Sequence, residues 1–407
     1  MNPTRIPTQT PARIPTQTPT PPVSRVLISG ASIAGPALAY WLNRYGYAVT
    51  VVEKASALRG GGYPIDIRGT ALEVVRRMGI LPRLRDVHID LRRLTFLDGD
   101  GTEVASVDPH HLTGGVGGED LEVRRGDLTE ALYGAVRDDV EFLFDDRIET
   151  LDQSEEHGVD VTFRGGGSRT FDMVFGADGV HSRTREFLFG PEERFHRYLG
   201  YCFAGFTLRN SFGLTDEVTM WNTPGRAAAL YAAGDGGHVH ALLNFAHPEP
   251  PFHAFRDPRA QRDLVAEVFA DAGWEVPGML TALRAADDLF FGVVSQIRLP
   301  RWSSGRVALV GDAAYAPSFL TGQGTSLALV GAYTLARSLV GRGHAAGFAA
   351  YEHDTRPFVT AHQDQVGEGD AALFPTTASA LERRNAMLRK LGTPPRSPLT
   401  RPCATGR

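Results

Sequence analysis

The six residues Gly30-Ala31-Ser32-Ile33-Ala34-Gly35, with Glu53 and Lys54 further on, have the types and spacing to hold a dinucleotide. Gly30 can take a tight turn, and Gly35 allows a helix to pack closely on a strand. The unpaired N–H groups of Ser32, Ile33 and Ala34 at a helix start would attract a pyrophosphate. Ser32 stands where the second glycine of such a turn belongs and is small enough to let the backbone approach a phosphate. Glu53 is placed to accept from ribose hydroxyls, and Lys54 could reach an adenosine end or lie exposed. A glycine pattern alone suits any strand–turn–helix; the complete unit with its terminal acid points to an adenine dinucleotide. Two later stretches pair glycine with an acid after an apolar run, Gly176-Ala177-Asp178-Gly179 and Gly311-Asp312, and Gly322-Gln323-Gly324-Thr325 opens a helix. An isolated Asp-Gly is an ordinary turn. A carboxylate at the carboxyl end of a strand, however, lies on the edge where open α/β sheets bind ligands.

The elements that must position these residues are legible from hydrophobic period. Val26, Leu27 and Ile28 form a run suited to a strand buried on both faces. A helix carrying Leu38, Trp41 and Leu42 follows to Gly46, and Val49, Val51 and Val52 lead to Glu53. Leu58–Gly69 is glycine-rich and enters a helix over Thr70–Met78. Leu94–Val107 alternates as a hairpin around Asp98-Gly99-Asp100-Gly101. Leu121–Arg125 is a strand that feeds a helix, and further strands span 140–144, 148–151, 159–163 and 171–175. From 195 to 289 the pattern changes to long alternating strands at 201–208, 217–221, 227–232 and 238–245, with one helix at 259–270. Arg306–Val310 returns to a buried strand, and helices run from Thr325, with interruptions, to Leu391. The fold class is therefore α/β with an inserted, mostly antiparallel sheet. The expected organisation is a discontinuous nucleotide domain of 23–83, 112–194 and 286–335, a sheet domain of 84–111 and 195–285, and a helical region of 336–391. Pro- and Thr-rich tails cover 1–22, where RIPTQTP occurs twice, and 392–407.

Composition removes several classes. A net charge of −5 without a long basic run argues against nucleic acid as a partner. No run of about 18 apolar residues offers a bilayer span, and the N-terminus has no apolar core of a secretory signal. Cys202 and Cys403 are the only cysteines and form no CxxC pair, so a reducing cytoplasm is expected, without disulfide framework or zinc site. His110 and His111 are adjacent and therefore diverge, and no metal is expected there.

Taken together and in order, GASIAG with Glu53, GADGVHSRTR from Gly176, and RVALVGDAAYAPSFLTGQG from Arg306 resemble the single-component FAD-dependent aromatic hydroxylases. These are group A flavoprotein monooxygenases of the p-hydroxybenzoate-hydroxylase fold. The likeness covers roughly residues 23 to 390 and is nearest in look to tetracycline-inactivating monooxygenases and actinomycete polyketide hydroxylases.

That resemblance implies a Rossmann-like FAD-binding domain and a substrate sheet above it. FAD is the cofactor and NAD(P)H the transient co-substrate. O₂ is trapped as a flavin C4a-hydroperoxide that hydroxylates an aromatic, polycyclic, polyketide-like molecule. It implies that Asp312 accepts from the FAD ribitol and that the Gly322-Gln323-Gly324-Thr325 helix start faces the flavin pyrimidine edge. Asp178 serves cofactor and NAD(P)H, while Arg125 approaches the cofactor and Arg68 faces flavin or NADPH. Tyr315 stands where many relatives carry His, and Pro317 lies one position early. The sheet would roof the flavin, with Phe203, Phe206, Met220, Trp221, Tyr231, Pro317 and Phe319 as lining and Arg226 and His240 as polar anchors. No residue identifies itself as a catalytic base. A same-fold oxidase or reductase, or a flavin-binding protein without turnover, remains an alternative. A Baeyer–Villiger enzyme would need a second GxGxxG, and a flavin halogenase a WxWxIP stretch; neither occurs. A monomer or homodimer is expected.

Overall fold

The computed structural model describes residues 23–58, 62–109, 120–154, 156–233, 236–254, 257–366 and 373–392. The tails at 1–22 and 393–407 and the pair His110-His111 lie outside these residues.

The strand Arg25–Ser29 is central in a six-stranded sheet, and its Val26, Leu27 and Ile28 have no exposed surface. Ala48–Glu53 and Met173–Gly176 flank it in parallel, as a run apolar on both faces requires. Glu141–Phe144 and Val307–Leu309 extend the parallel order outward, and the short Ser303–Ser304 closes one edge antiparallel. All five parallel strands thus send their carboxyl ends to one edge. Ser29, Glu53, Gly176 and Leu309 hand the chain to loops there, which brings all three motifs together.

Helix Ala34–Arg44 covers this sheet beside helix Gly324–Leu339, joined by an edge-on contact of Trp41 and Tyr333 at 4.9 Å. A two-stranded ribbon, Pro64–Ile67 with Leu121–Arg124, bridges toward the second sheet; it buries Ile67, Leu121 and Val123 and turns Asp66, Glu122 and Arg124 the other way.

The second sheet has seven strands in the order Phe290–Ile297, His196–Arg209, His238–Ala246, Arg226–Ala232, Glu217–Thr223, Arg93–Leu97 and Glu103–Val107. All neighbours are antiparallel except Glu217–Thr223 and Arg93–Leu97, which run parallel. Period-two alternation divides its side chains. Phe96, Tyr201, Met220, Ala229 and Tyr231 occupy one face, with Phe203 packed against them. Cys202, Phe206, Trp221, Leu230 and Phe245 occupy the other, under two helices, Pro258–Val268 and Val276–Ala285.

Two expectations are corrected here. The sheet is covered by a second helix, Val276–Ala285, whose Pro277 and Gly278 read as breakers although proline is tolerated in a first turn. The strand Phe290–Ile297, which the sequence reading assigned to the nucleotide domain, pairs with His196–Arg209 as an edge of the seven-stranded sheet. Its pattern of buried residues from Val294 to Ile297 resembles a two-faced parallel strand because loop and helix residues cover its far side.

Tyr315 does not face the cofactor edge. It is buried against Trp302 at 4.6 Å, and Tyr351 donates to its Oη at 3.1 Å. A Cβ on Gly331 would lie 1.9 Å from Tyr315 Oη and 3.1 Å from Cζ. Gly331→Ala should therefore lower stability by about 1–3 kcal/mol through overpacking. Adding Tyr315→Phe should return much of that loss, which a double-mutant cycle by chemical denaturation would measure.

Candidate functional site

At the carboxyl edge of the parallel sheet the first turn has the expected geometry. Gly30 has φ +106°, and a Cβ there would meet Ala177 O at 2.5 Å. The turn and the Asp178 loop therefore press against each other. Gly35 packs on Gly30 with room only for hydrogen. Helix Ala34–Arg44 starts after the half-buried Ile33, and among the described residues no side chain caps it. Its first N–H groups, with the positive end of the helix dipole, face this edge.

Glu53 ties the turn together. Its carboxylate accepts from Ala31 N–H at 2.8 Å and from Ala55 N–H at 2.9 Å. One acceptor position per oxygen remains, since a carboxylate oxygen takes two hydrogen bonds. Lys54 is exposed. Arg125, the first residue of helix Arg125–Gly134, donates to Ser32 Oγ at 2.7 Å, so the serine in the turn and the arginine after a distant strand form one group.

Gly311 has φ +66°, and a Cβ there would stand 2.9 Å from Ala34 Cβ. Asp312 is thereby set beside the first helix start. Its side chain is reached by solvent, yet enough protein surrounds it that desolvation raises its carboxyl, opposed by the charge of Arg125. Further along, the left-handed Gly322 precedes helix Gly324–Leu339, which also has no side-chain cap among the described residues and whose Thr325 is buried. Arg68 reaches this second helix start: its backbone N–H donates to Ser326 Oγ at 3.0 Å, and its guanidinium pairs with Asp66 at 3.0 Å.

Asp178 orders its own loop. Its carboxylate accepts from Ser182 Oγ, Thr184 N–H and Thr184 Oγ1 at the start of helix Arg183–Phe189, whose N-cap is Ser182. Arg185 is fully buried behind it, donating to Val180 O and Glu192 at 2.7 Å and to Ala313 O at 3.2 Å; this fixes the turn after Asp312.

The sheet face with Tyr231 and Met220 looks toward this edge, and the loop after Asp312 meets it. Phe319 is 46% exposed and stacks on Phe203 with centroids 5.1 Å apart; Phe203 in turn contacts Phe290 at 5.3 Å, and Phe290 contacts Tyr63 at 5.6 Å. Tyr63 lies within the electrostatic reach of Arg125 and Asp312, with burial and Asp312 raising its phenol. His240 is the cross-strand neighbour of Tyr231 and shares a hydrogen bond with Thr207 Oγ1 at 3.2 Å; burial lowers its imidazole. Pro317 is buried, and its carbonyl accepts from Gln296 Nε2 at 3.1 Å.

Trp221, Phe206 and Arg226 are not part of this wall. Trp221 and Phe206 lie on the opposite face, and Trp221 Nε1 donates to Gly99 O at 3.1 Å. Arg226 pairs with Asp271 and donates to Val268 O at the end of helix Pro258–Val268. Met220 and Trp221 are consecutive in a strand and could not both face one pocket.

Sequence reasoning missed Tyr63, which sat in a glycine-rich loop without period. It also missed Gln296 and Gln363, whose amides hold the Tyr315–Pro317 backbone, Gln363 at 3.1 Å from Ala316 O. Among the described residues no helix is long and apolar enough to cross a membrane, and no three His, Cys, Asp or Glu gather as a metal site.

The residues present fit a flavin dinucleotide: a glycine turn, two uncapped helix starts, an arginine at the turn and a carboxylate at the carboxyl edge of the parallel sheet. Comparison with known proteins agrees. Residues 24–366 match the family model described as FAD binding domain. An uncharacterized protein of Mycobacterium tuberculosis is 43% identical over 361 residues, covering 88% of this chain and 96% of its own. A flavin-dependent monooxygenase of an unknown prokaryotic organism is 37% identical over 370 residues, covering 90% and 95%. In three dimensions the crystal structure of tetracycline destructase Tet(55) superposes with a TM-score of 0.80 at 36% identity, covering 91% of this chain and 96% of that one. The chain belongs to the FAD binding domain family, among its flavin-dependent monooxygenases.

Proposed function

We propose that this monooxygenase uses NAD(P)H and O₂ to hydroxylate an aromatic, polycyclic, polyketide-like compound. The observation that carries the reading is the juxtaposition of Asp312 with the aromatic wall of Tyr63, Phe203, Phe290 and Phe319. FAD, when bound, supplies the redox and oxygen-activating chemistry, which no side chain can.

The protein's share is binding, orientation and exclusion of water. The helix Ala34–Arg44 start and Arg125 would hold the pyrophosphate, Glu53 the adenosine ribose, and Asp312 the ribitol. The helix Gly324–Leu339 start would stabilise negative charge on the flavin pyrimidine. Phe203 and Phe319 present ring faces to a flat substrate, and Met220, Tyr231 and His240 complete that side of the sheet. Similarity to a tetracycline destructase supports a fused-ring substrate class.

The test is NADPH and NADH oxidation by the purified flavoprotein against a panel of polycyclic phenols, with product mass and released peroxide recorded together. The reading predicts a compound that accelerates oxidation and gains one oxygen atom. Loss of two hydrogens without oxygen gain would mean an oxidase. Tight binding without turnover of either nicotinamide across the panel would mean a flavin-binding protein that does not oxygenate these compounds.

A further inference from the structure

The two-stranded ribbon places two carboxylates side by side between the nucleotide domain and the sheet. Asp66 and Glu122 are direct partners in its antiparallel register and so project from the same face. Opposite them is the aromatic face of the seven-stranded sheet, from which Tyr231 Oη donates to Glu122 Oε1 at 2.9 Å. Asp66 reaches the other way, to the turn that begins helix Gly324–Leu339: its Oδ2 would lie 3.1 Å from a Cβ on Gly322. Glu122 therefore lies between the turn expected at the flavin and the wall expected at the substrate.

Resting on the hydroxylase reading above, we infer that Glu122, held by Tyr231 and opposed by Asp66, is the base that takes the hydroxyl proton of a phenolic substrate. The substrate O–H bond breaks as a proton passes to the free oxygen of the Glu122 carboxylate. The electron pair stays on the substrate oxygen, and no oxidant is involved. The resulting phenolate is the electron-rich form that an electrophilic oxygen attacks. Such a base works best when its affinity for the proton matches the working pH.

The surroundings supply that match. Desolvation, then the neighbouring charge of Asp66, push the Glu122 carboxyl up to about 7, opposed by the Tyr231 bond and by Arg68. Two like charges in one partly dry site favour sharing a single proton. The other groups around it are Arg124, whose guanidinium is held by Ala233 O at 3.0 Å, His240 beside Tyr231, Asp120 near Asp66, and His88, whose Nδ1 lies 3.2 Å from the Glu122 backbone nitrogen. Asp288 and His238 reach His240 in turn. Of these, Glu122 is the carboxyl that combines contact with the sheet wall and a proton affinity near neutrality.

The experiment uses the FAD-loaded protein with 1-hydroxyanthraquinone and a more acidic nitro-substituted analogue. Binding of the neutral phenol across pH is read by difference spectroscopy without NAD(P)H, and product formation is read with it. Wild type should bind the phenol more tightly, and turn it over faster, above a transition near 7, where the ionised Glu122 carboxylate accepts from the phenol hydroxyl. Glu122→Gln should bind the neutral phenol and lose about 100-fold in kcat/KM, within the range of general-base contributions. The acidic analogue should recover most of that loss. Two further variants move the transition in opposite directions: Tyr231→Phe removes a donor to the carboxylate and should raise it, and Asp66→Asn removes a like charge and should lower it.

The same pH dependence of phenol binding in wild type and Glu122→Gln, or an equal loss of rate for both compounds, would overturn the assignment. So would transitions unmoved in the Tyr231 and Asp66 variants. A binding transition near 7 that depends on Glu122, with no oxygenated product from any compound, would uphold the place of the carboxylate at the phenol and overturn the hydroxylase reading instead.

Discussion

Gly35→Ala is expected to yield a protein that purifies without flavin and unfolds well below the wild type. A Cβ at this position would stand 1.9 Å from Gly30 O and 3.0 Å from Gly30 C, both backbone atoms of the turn itself. Neither can withdraw as a flexible side chain can, because Gly30 N–H is bound to Val52 O at 2.8 Å and Ala177 O presses on its other side. Relief requires the helix to move away from the turn, which is the joint that aims its N–H groups. The cost should reach about 3 kcal/mol, the upper part of the range for overpacking, and the strain falls where the pyrophosphate would bind. Gly278→Ala serves as the control. No atom lies within 4 Å of its added Cβ, and it sits inside helix Val276–Ala285. It should stabilise by about 0.5–1 kcal/mol, with flavin content unchanged. Thermal unfolding and the flavin-to-protein absorbance ratio of both variants check the pair.

Asp312→Ala separates binding from folding. Its carboxyl is raised by desolvation, so the charged group works against the folded state at neutral pH. That penalty is absent below the ordinary carboxylate range and grows as pH rises above it. Removing the group should therefore leave thermal stability at pH 7 equal or higher, and the difference from wild type should fade in acid. Flavin affinity should move oppositely. Losing a hydrogen bond to a charged acceptor costs about 1.5–3 kcal/mol, or roughly 10- to 150-fold in Kd. Equilibrium titration of the flavin-free protein measures this. Unchanged affinity would remove Asp312 from the cofactor site, and reduced affinity together with a collapsed fold would make its role structural.

These two positions also show what a sequence makes legible. Gly35 and Asp312 belong to local units, a strand, a turn and a helix start, whose period and glycine spacing fix them within a few residues. The parallel order of the first sheet then brings Gly30, Glu53, Asp178 and Asp312 to one edge without further information. Arg125 was marked by the family resemblance alone; its bond to Ser32 is made across the fold, and no local period shows it. Arg226 failed because its partner, Asp271, is distant in sequence, in the turn after helix Pro258–Val268, which covers the other face of the sheet. Trp221 failed for a local reason that alternation alone could have caught: its neighbour Met220 takes the pocket side. Glu122 and Asp66 were not distinguishable from any exposed pair of acids until the ribbon register set them side by side and the sheet closed over them. Their environment is tertiary, and so is the chemistry it permits.

The central claim is that oxygen from O₂ enters an aromatic substrate between Asp312 and the Phe203–Phe319 wall. The most direct test supplies the enzyme, NAD(P)H and a turned-over polycyclic phenol with isotopically labelled dioxygen in ordinary water, and reads the product by mass spectrometry. The account predicts a hydroxylated product that carries one labelled oxygen atom. A product that is oxidised but unlabelled, with the label recovered as hydrogen peroxide, would contradict it.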